Sequence, residues 1–187
     1  MKKLMIMAVA IVCAAAAANA ASLRWSLSDF TASVSGSPNG YTALIFAASD
    51  SSDTVTTLAL ATAQEYAAAG KFTELNAAKI AEASLASDGS VTTAYHVESG
   101  WKKNTIVETY AIVFDNADLS QAKFYAVGLD PDESPAAPSS VKFSTDSKQV
   151  TGYLAQSGSW TAVAPEPTSG LLMLVGLGAL ALRRRRA

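Results

Sequence analysis

The stretch TIVETYAIVFD, from Thr105 to Asp115, decides the fold class of this 187-residue chain. It is dominated by β-branched and aromatic residues, which favour extended strands. The residues that carry this preference are Ile106, Val107, Tyr110, Ile112, Val113 and Phe114. We therefore predict a long β strand here and interpret the rest of the chain outward from it.

Further strands are predicted on both sides of this segment. SLRWSLSDF, from Ser22, alternates so that Leu23, Trp25 and Leu27 share one face, which is typical of a half-buried strand with Trp25 in the core. Composition predicts turns at SGSPNG (residues 35–40) and SDGS (residues 87–90). It predicts a Pro-rich acidic loop at DPDESPAAPSS (residues 130–140). The remaining predicted strands cover residues 41–49, 91–97, 123–129, 141–144 and 150–154, with a final short strand including Trp160 and Val163.

The apolar period changes from two to about 3.6 after the second strand. One helix is expected with Asp53 as its N-cap and Gly70 as its end, and a second from Thr73 to about Leu85. The expected fold class is mainly β (α+β): an antiparallel sheet or sandwich with a helical hairpin inserted after the second strand. We assign this domain to residues 21–154 and a tether to the small, polar segment 155–164.

Charge is distributed unevenly along the chain. Of its 14 basic and 16 acidic residues, 8 basic and 15 acidic ones lie between Ala21 and Ala164, which gives this part a net charge of −7. Nucleic-acid binding needs clustered Lys and Arg against the phosphates, so this body is not expected to bind nucleic acid.

Residues 1–20 are typical of a secretory signal peptide, with a basic start, an apolar centre and small residues at the exit. Ala18 and Ala20 fit the cleavage pattern of signal peptidase, so the mature chain is expected to begin at Ala21. An uncleaved anchor is the weaker alternative. The single cysteine, Cys13, lies inside the signal and follows Val12, which disfavours a lipoprotein; the body has no cysteine for a disulfide or a metal.

The C-terminal residues 165–187 read as a membrane segment with a charged end. Thr168 to Leu182 is an uncharged run of 15 residues. As a transmembrane helix it would be about 22 Å long, against about 30 Å for a bilayer core. Arg183, Arg184, Arg185 and Arg186 form a stop-transfer cluster that keeps the end of the chain in the cytoplasm.

Pro165, Glu166 and Pro167, followed by this apolar run and the terminal Arg cluster, resemble a PEP-CTERM sorting signal. The resemblance implies an exosortase-like transpeptidase of a Gram-negative inner membrane, which cuts near Pro-Glu-Pro and passes the body to the cell surface or the extracellular matrix. A plain C-terminal anchor is the alternative.

Few residues of the body predict chemistry. His96 is the only histidine and is expected to face solvent on its strand; a zinc site needs more ligands, and no serine lies in a nucleophile-elbow motif. Two acidic clusters, Asp115 to Asp118 and Asp130 to Glu133, lack the spacing of a calcium loop, so solvated turns are favoured. No catalytic residue, metal or cofactor is predicted.

Carbohydrate binding is the alternative to a purely structural role. Trp101, in an apparent turn beside Lys102 and Lys103, is the best candidate for stacking on a sugar, and Trp160 is a weaker one. The sequence thus favours a non-enzymatic surface or matrix protein. A module that binds exopolysaccharide is second, and a small secreted hydrolase that depends on His96 is third.

Overall fold

A computed structural model describes residues 21–97, 104–143 and 149–164. Within these ranges the chain forms eight strands and two α helices. The order is β1 Ala21–Ser28, β2 Thr42–Asp50, α1 Leu60–Ala68, α2 Phe72–Ala78, β3 Ala81–Ser84, β4 Val91–Val97, β5 Ile106–Phe114, β6 Phe124–Leu129, β7 Ser139–Lys142 and β8 Gln149–Ala162, with a 3₁₀ turn at Leu119–Gln121. The prediction of a mainly β protein with two helices after the second strand is confirmed.

The strands form one sheet in the order β3-β2-β5-β6-β8-β1-β4, and β7 pairs with β5 beside β6. All neighbours are antiparallel except β1 and β8, which run parallel. The sheet is therefore mixed: the expected antiparallel pairing holds for all the other pairs, and β1 with β8 is the exception. The prediction that Leu23, Trp25 and Leu27 of β1 share one buried face is confirmed, since all three are buried.

The last strand, β8, changes its partner halfway along. Its first half pairs with β1, from Gln149 opposite Ser22 to Ala155 opposite Ser28. Its second half pairs with β6, from Ala155 opposite Leu129 to Ala162 opposite Phe124. The tether assigned to residues 155–164 is therefore corrected: most of it is a paired strand, because the free edge of β6 satisfies its backbone groups.

A first core lies where the sheet curls over on itself. The indole Nε1 of Trp25 in β1 donates to Thr109 Oγ1 in β5 at 2.9 Å. In a flat sheet these strands would lie about 14 Å apart, three strand spacings. Their contact therefore requires a strong curl that brings the two ends of the sheet face to face. The buried members of this core include Leu23, Trp25, Leu27, Phe30, Ala43, Ile45, Leu85, Val107, Ala111, Val113, Val141, Phe143 and Leu154.

A second core lies on the other face of β2, β5 and β6, beneath the two helices. The rings of Phe46 and Tyr110 stack at 5.4 Å, and Phe72 of α2 meets Phe114 edge-on at 5.5 Å. The other buried members are Leu44, Ala63, Ala67, Leu75, Ile112, Tyr125, Val127 and Leu129. Strand β5 is thus covered on both faces, which explains why its sequence is apolar almost throughout.

The helical region differs from the prediction at two points. Helix α1 begins after Ala59, so Asp53 is not its N-cap, whereas Gly70 follows its end with φ +69°. Helix α2 ends at Ala78, and residues 81–84 pair with the edge of β2 as β3. The predicted second helix was therefore too long. Residues 81–84 form backbone hydrogen bonds with the open edge of β2, and a local helical period does not reveal such a distant partner.

Candidate sorting tail and polar side-chain clusters

The body remains hydrogen-bonded up to the residue before Pro165. The backbone N–H of Val163 donates to the carbonyl of Lys123 at 2.8 Å, and that of Ala164 donates to the carbonyl of Ala68 at 2.7 Å. Ala68 is the last residue of α1, so the end of β8 is fastened to the C-terminus of that helix. The Pro-Glu-Pro tripeptide therefore follows directly on folded structure, with no free linker between them.

The residues predicted to direct export lie outside the described ranges. These are Ala18 and Ala20, Pro165, Glu166 and Pro167, the run 168–182, and Arg183, Arg184, Arg185 and Arg186. Among the residues that the structure describes, no helix has both the length and the apolar character to cross a bilayer.

The first acidic cluster closes the turn between β5 and β6. Asp115 Oδ1 accepts from the backbone N–H groups of Lys123 at 2.8 Å and Phe124 at 3.0 Å, and its Oδ2 accepts from Ser33 Oγ at 3.2 Å. Asp118 Oδ1 accepts from the N–H and hydroxyl of Ser120 at 3.0 and 2.7 Å and so caps the 3₁₀ turn. Both carboxylates serve turn geometry.

The second acidic cluster is built in the same way. Asp130 Oδ1 accepts from the backbone N–H of Asp132 at 3.0 Å, and the N–H of Asp130 donates to the carbonyl of Ala137 at 2.9 Å. Over residues 21–97, 104–143 and 149–164, no three His, Cys, Asp or Glu side chains gather as a metal site would require.

Asp50, at the end of β2, is the polar centre that the sequence did not reveal. Its Oδ1 accepts from the N–H and hydroxyl of Ser52 at 2.9 and 2.8 Å. Its Oδ2 accepts from the N–H groups of Thr54 at 2.6 Å and Val55 at 3.0 Å. Burial acts to raise the pKa of this carboxyl, but the hydrogen bonds from Ser52, Val55 and Thr54 together outweigh it and leave the pKa below its usual value. Asp50 thus organises the loop that leads to α1, whereas Asp53, the predicted N-cap, lies within that loop and does not cap the helix.

Replacing Asp50 with asparagine is expected to lower the free energy of unfolding by about 1–3 kcal/mol at pH 7. The amide nitrogen cannot accept the hydrogen bonds that one carboxylate oxygen accepts from backbone N–H groups. A lowered pKa means that the ionised carboxylate stabilises the fold above its ordinary value of 3.8, and that this contribution is lost as the pH falls through the folded-state value. The difference between the two proteins should therefore shrink in acid.

The measurement is urea unfolding of the full-length protein in mild detergent, followed by tryptophan fluorescence at pH 7 and at acidic pH. Asp53→Asn is the matched control, since Asp53 is exposed and has a φ of +53° that asparagine accepts readily. Equal losses for the two variants would contradict the role given to Asp50.

His96, the histidine considered for chemistry, and Tyr110, the tyrosine whose pKa is most affected by burial, both lie on strands of the sheet. The backbone of His96 pairs with Ser22 across β1 and β4. Tyr110 is buried, and its hydroxyl donates to the carbonyl of Leu58 at 2.8 Å. Burial raises the pKa of Tyr110 well above its usual value, so its hydroxyl stays protonated and acts as a structural donor.

The three tryptophans have separate positions. Trp25 is a core residue, as predicted. Trp160, in the second half of β8, is partly buried and meets the ring of Tyr41 edge-on at 5.6 Å, so it packs within the fold. Its Nε1 is buried with no hydrogen-bond partner among the described residues. Trp101, the candidate for sugar stacking, lies outside the described ranges.

Comparison with known protein families finds a match at the C-terminal end of the chain. The model of the PEP-CTERM protein-sorting motif matches residues 163–186. Comparison with curated proteins and with solved structures finds no significant match. The matched range takes in Pro-Glu-Pro, the apolar run and the Arg cluster, and it starts on the two residues that fasten the end of β8. The C-terminal residues 163–186 of this chain are therefore a PEP-CTERM sorting motif, which indicates an exported protein that an exosortase sorts toward the cell surface.

Proposed function

We propose that this protein is a non-enzymatic component of the cell surface or extracellular matrix, delivered there by exosortase processing. In this scheme signal peptidase cuts after Ala20, and the run 168–182 holds the exported body at the inner membrane. An exosortase-like transpeptidase then cuts near Pro165 to Pro167, leaving Arg183 to Arg186 on the cytoplasmic side.

One observation carries the proposal: a sorting motif begins where an acidic folded body ends. The motif covers residues 163–186, and hydrogen bonds hold its first two residues, Val163 to Lys123 just before β6 and Ala164 to the last residue of α1. A body with a net charge of −7 stays soluble by self-repulsion once it is detached. The described carboxylates of Asp50, Asp115 and Asp118 are engaged in turns, which supports a structural role for them.

The test is intact-mass spectrometry of the protein from its producing cells, with inner-membrane, surface and medium fractions compared. We expect a surface form that starts at Ala21 and ends between Pro165 and Pro167. Replacing Pro165, Glu166 and Pro167 with Ala-Gln-Ala should leave the tail attached. A wild-type mass that keeps Arg183 to Arg186 and occurs only in the inner membrane would show a simple anchored domain instead.

A further inference from the structure

The outward face of the three neighbouring strands β8, β1 and β4 differs from the rest of the body in its charge. The three strands contain one charged residue, Arg24, and no carboxylate, although residues 21–164 carry 15 acidic residues. Like charges that would repel a second molecule are therefore absent from these strands. We call the outward surface formed by Ser22, Arg24, Ser26, Thr92, Gln149, Thr151 and Tyr153 the polar sheet face.

The register fixes how these side chains are arranged. Across the strands, Tyr153 of β8 lies opposite Ser26 of β1, which lies opposite Thr92 of β4. Two residues earlier along β8 and β1, Thr151 lies opposite Arg24. Their neighbours along each strand, among them Trp25 and Leu154, point into the first core. Because side chains alternate between the two faces of a strand, this set forms one continuous outer surface.

Tyr153 is the only large apolar side chain of this face that stands free in solvent. It is 60 % exposed, whereas the other exposed large apolar side chains of the described ranges, Val34 and Ile106, lie on other segments. Within the described part of the chain, the side chains of Arg24, Ser26, Thr151 and Tyr153 make no hydrogen bond. The face thus offers one aromatic ring surrounded by unused hydroxyl and guanidinium donors.

This combination fits a hydroxyl-rich ligand better than a protein partner. Protein interfaces need several desolvated aromatic or aliphatic anchors at their centre, and this face has a single ring. A sugar ring has an apolar C–H face that packs on an aromatic ring and a rim of hydroxyls that bond to polar side chains. Strand spacing and the rise per residue place the α-carbons of Tyr153 and Arg24 about 8 Å from each other. Tyr153 can therefore stack on one sugar of a chain while Arg24 bonds to the adjacent sugar.

The size of the face also argues against a second copy of this chain. Three strands of about seven residues give a flat area of roughly 340 Å². A stable dimer buries about 800 Å² on each partner. The face is too small for that, but an extended polymer chain needs only a strip along the strands.

We propose that the polar sheet face binds an uncharged polysaccharide chain, with Tyr153 stacking on a sugar ring and Arg24, Ser26 and Thr151 bonding to hydroxyls. An uncharged chain is the occupant because the face adds one positive charge to a strongly negative body, which repels a polyanion at longer range. This inference goes beyond sorting and stands independently of it, since a protein that is never cut could still bind through this face.

The experiment measures equilibrium binding of the full-length protein, in mild detergent, to beads carrying dextran, amylose or a β-1,3-glucan, with alginate as the charged comparison. We expect retention on at least one uncharged glucan. Tyr153→Ser should weaken it about tenfold, the size expected for loss of one stacking contact. Tyr153→Phe keeps the ring and should bind within about twofold of wild type. Arg24→Gln should weaken binding less than Tyr153→Ser.

Val34→Ser is the matched control, because it removes an apolar side chain of similar exposure from another part of the surface. It should bind like wild type. No retention on any uncharged glucan, retention on alginate alone, or equal binding by wild type and Tyr153→Ser would each overturn the proposal. Failure of tail processing would leave these binding results unchanged, so the two proposals fail separately.

Discussion

Replacing Arg183, Arg184, Arg185 and Arg186 with glutamine is expected to stop tail processing. In the proposed topology the uncharged run before them spans the inner membrane. Its 15 residues are few for a bilayer, so we expect the cationic end to help hold it there. Each cationic residue near an anionic membrane surface contributes about 1 kcal/mol, so removing four loses about 4 kcal/mol. We expect the form that ends near Pro167 to disappear from the surface fraction in intact-mass spectra.

The matched variant has lysine at all four positions. It keeps the charge and changes only the side-chain chemistry, so it should restore processing. Wild-type processing of the glutamine variant would show that the charge has no part in sorting. Failure of the lysine variant would show that the guanidinium groups themselves are recognised, and would contradict an argument from charge alone.

Replacing Gly89 with alanine is expected to be the most damaging single methyl addition in the described body. A Cβ on Gly89 would lie 1.9 Å from the backbone oxygen of Phe30 and 2.8 Å from its carbonyl carbon. No flexible side chain can move aside there, so the turn or the backbone of Phe30 must shift. Phe30 is buried, and its ring lies against Gly128 on the other side, so a shift would disturb the first core.

The expected loss is about 3 kcal/mol or more in the free energy of unfolding, which is the range of core disruption and backbone strain combined. The matched control is Gly158→Ala. Its φ is +75°, against +76° for Gly89, and a Cβ there meets nothing within 4 Å. It should therefore show only the strain of a left-handed alanine, about 1–2 kcal/mol. Urea unfolding of both full-length variants measures the difference, and equal losses would show that the contact with Phe30 is unimportant.

The surroundings of Gly89 show which features a local sequence pattern can predict. SDGS was predicted to be a turn, and Gly89 lies in it as expected. That a Cβ at this position would collide with the backbone of Phe30, 59 positions earlier in the numbering, is a tertiary fact with no local signal. The same holds for Asp50 and Asp53: both are acidic residues before a helix, and only the path of the loop decides which carboxylate meets the free N–H groups.

Local chemistry alone determined the alternation of β1, the apolar strand β5, the position of the helices after the second strand, and the order of Pro-Glu-Pro, apolar run and Arg cluster that the family model matches. These features arise from residues a few positions apart, where backbone period and side-chain type act directly. Only the tertiary structure decided that β8 passes from β1 to β6, that residues 81–84 form an edge strand, and that the sorting motif begins on a folded body. Those outcomes depend on which distant backbone edges are left open, and residues a few positions apart do not determine that. The side-chain hydrogen bond between Trp25 and Thr109, 84 residues apart, is likewise a product of the tertiary fold.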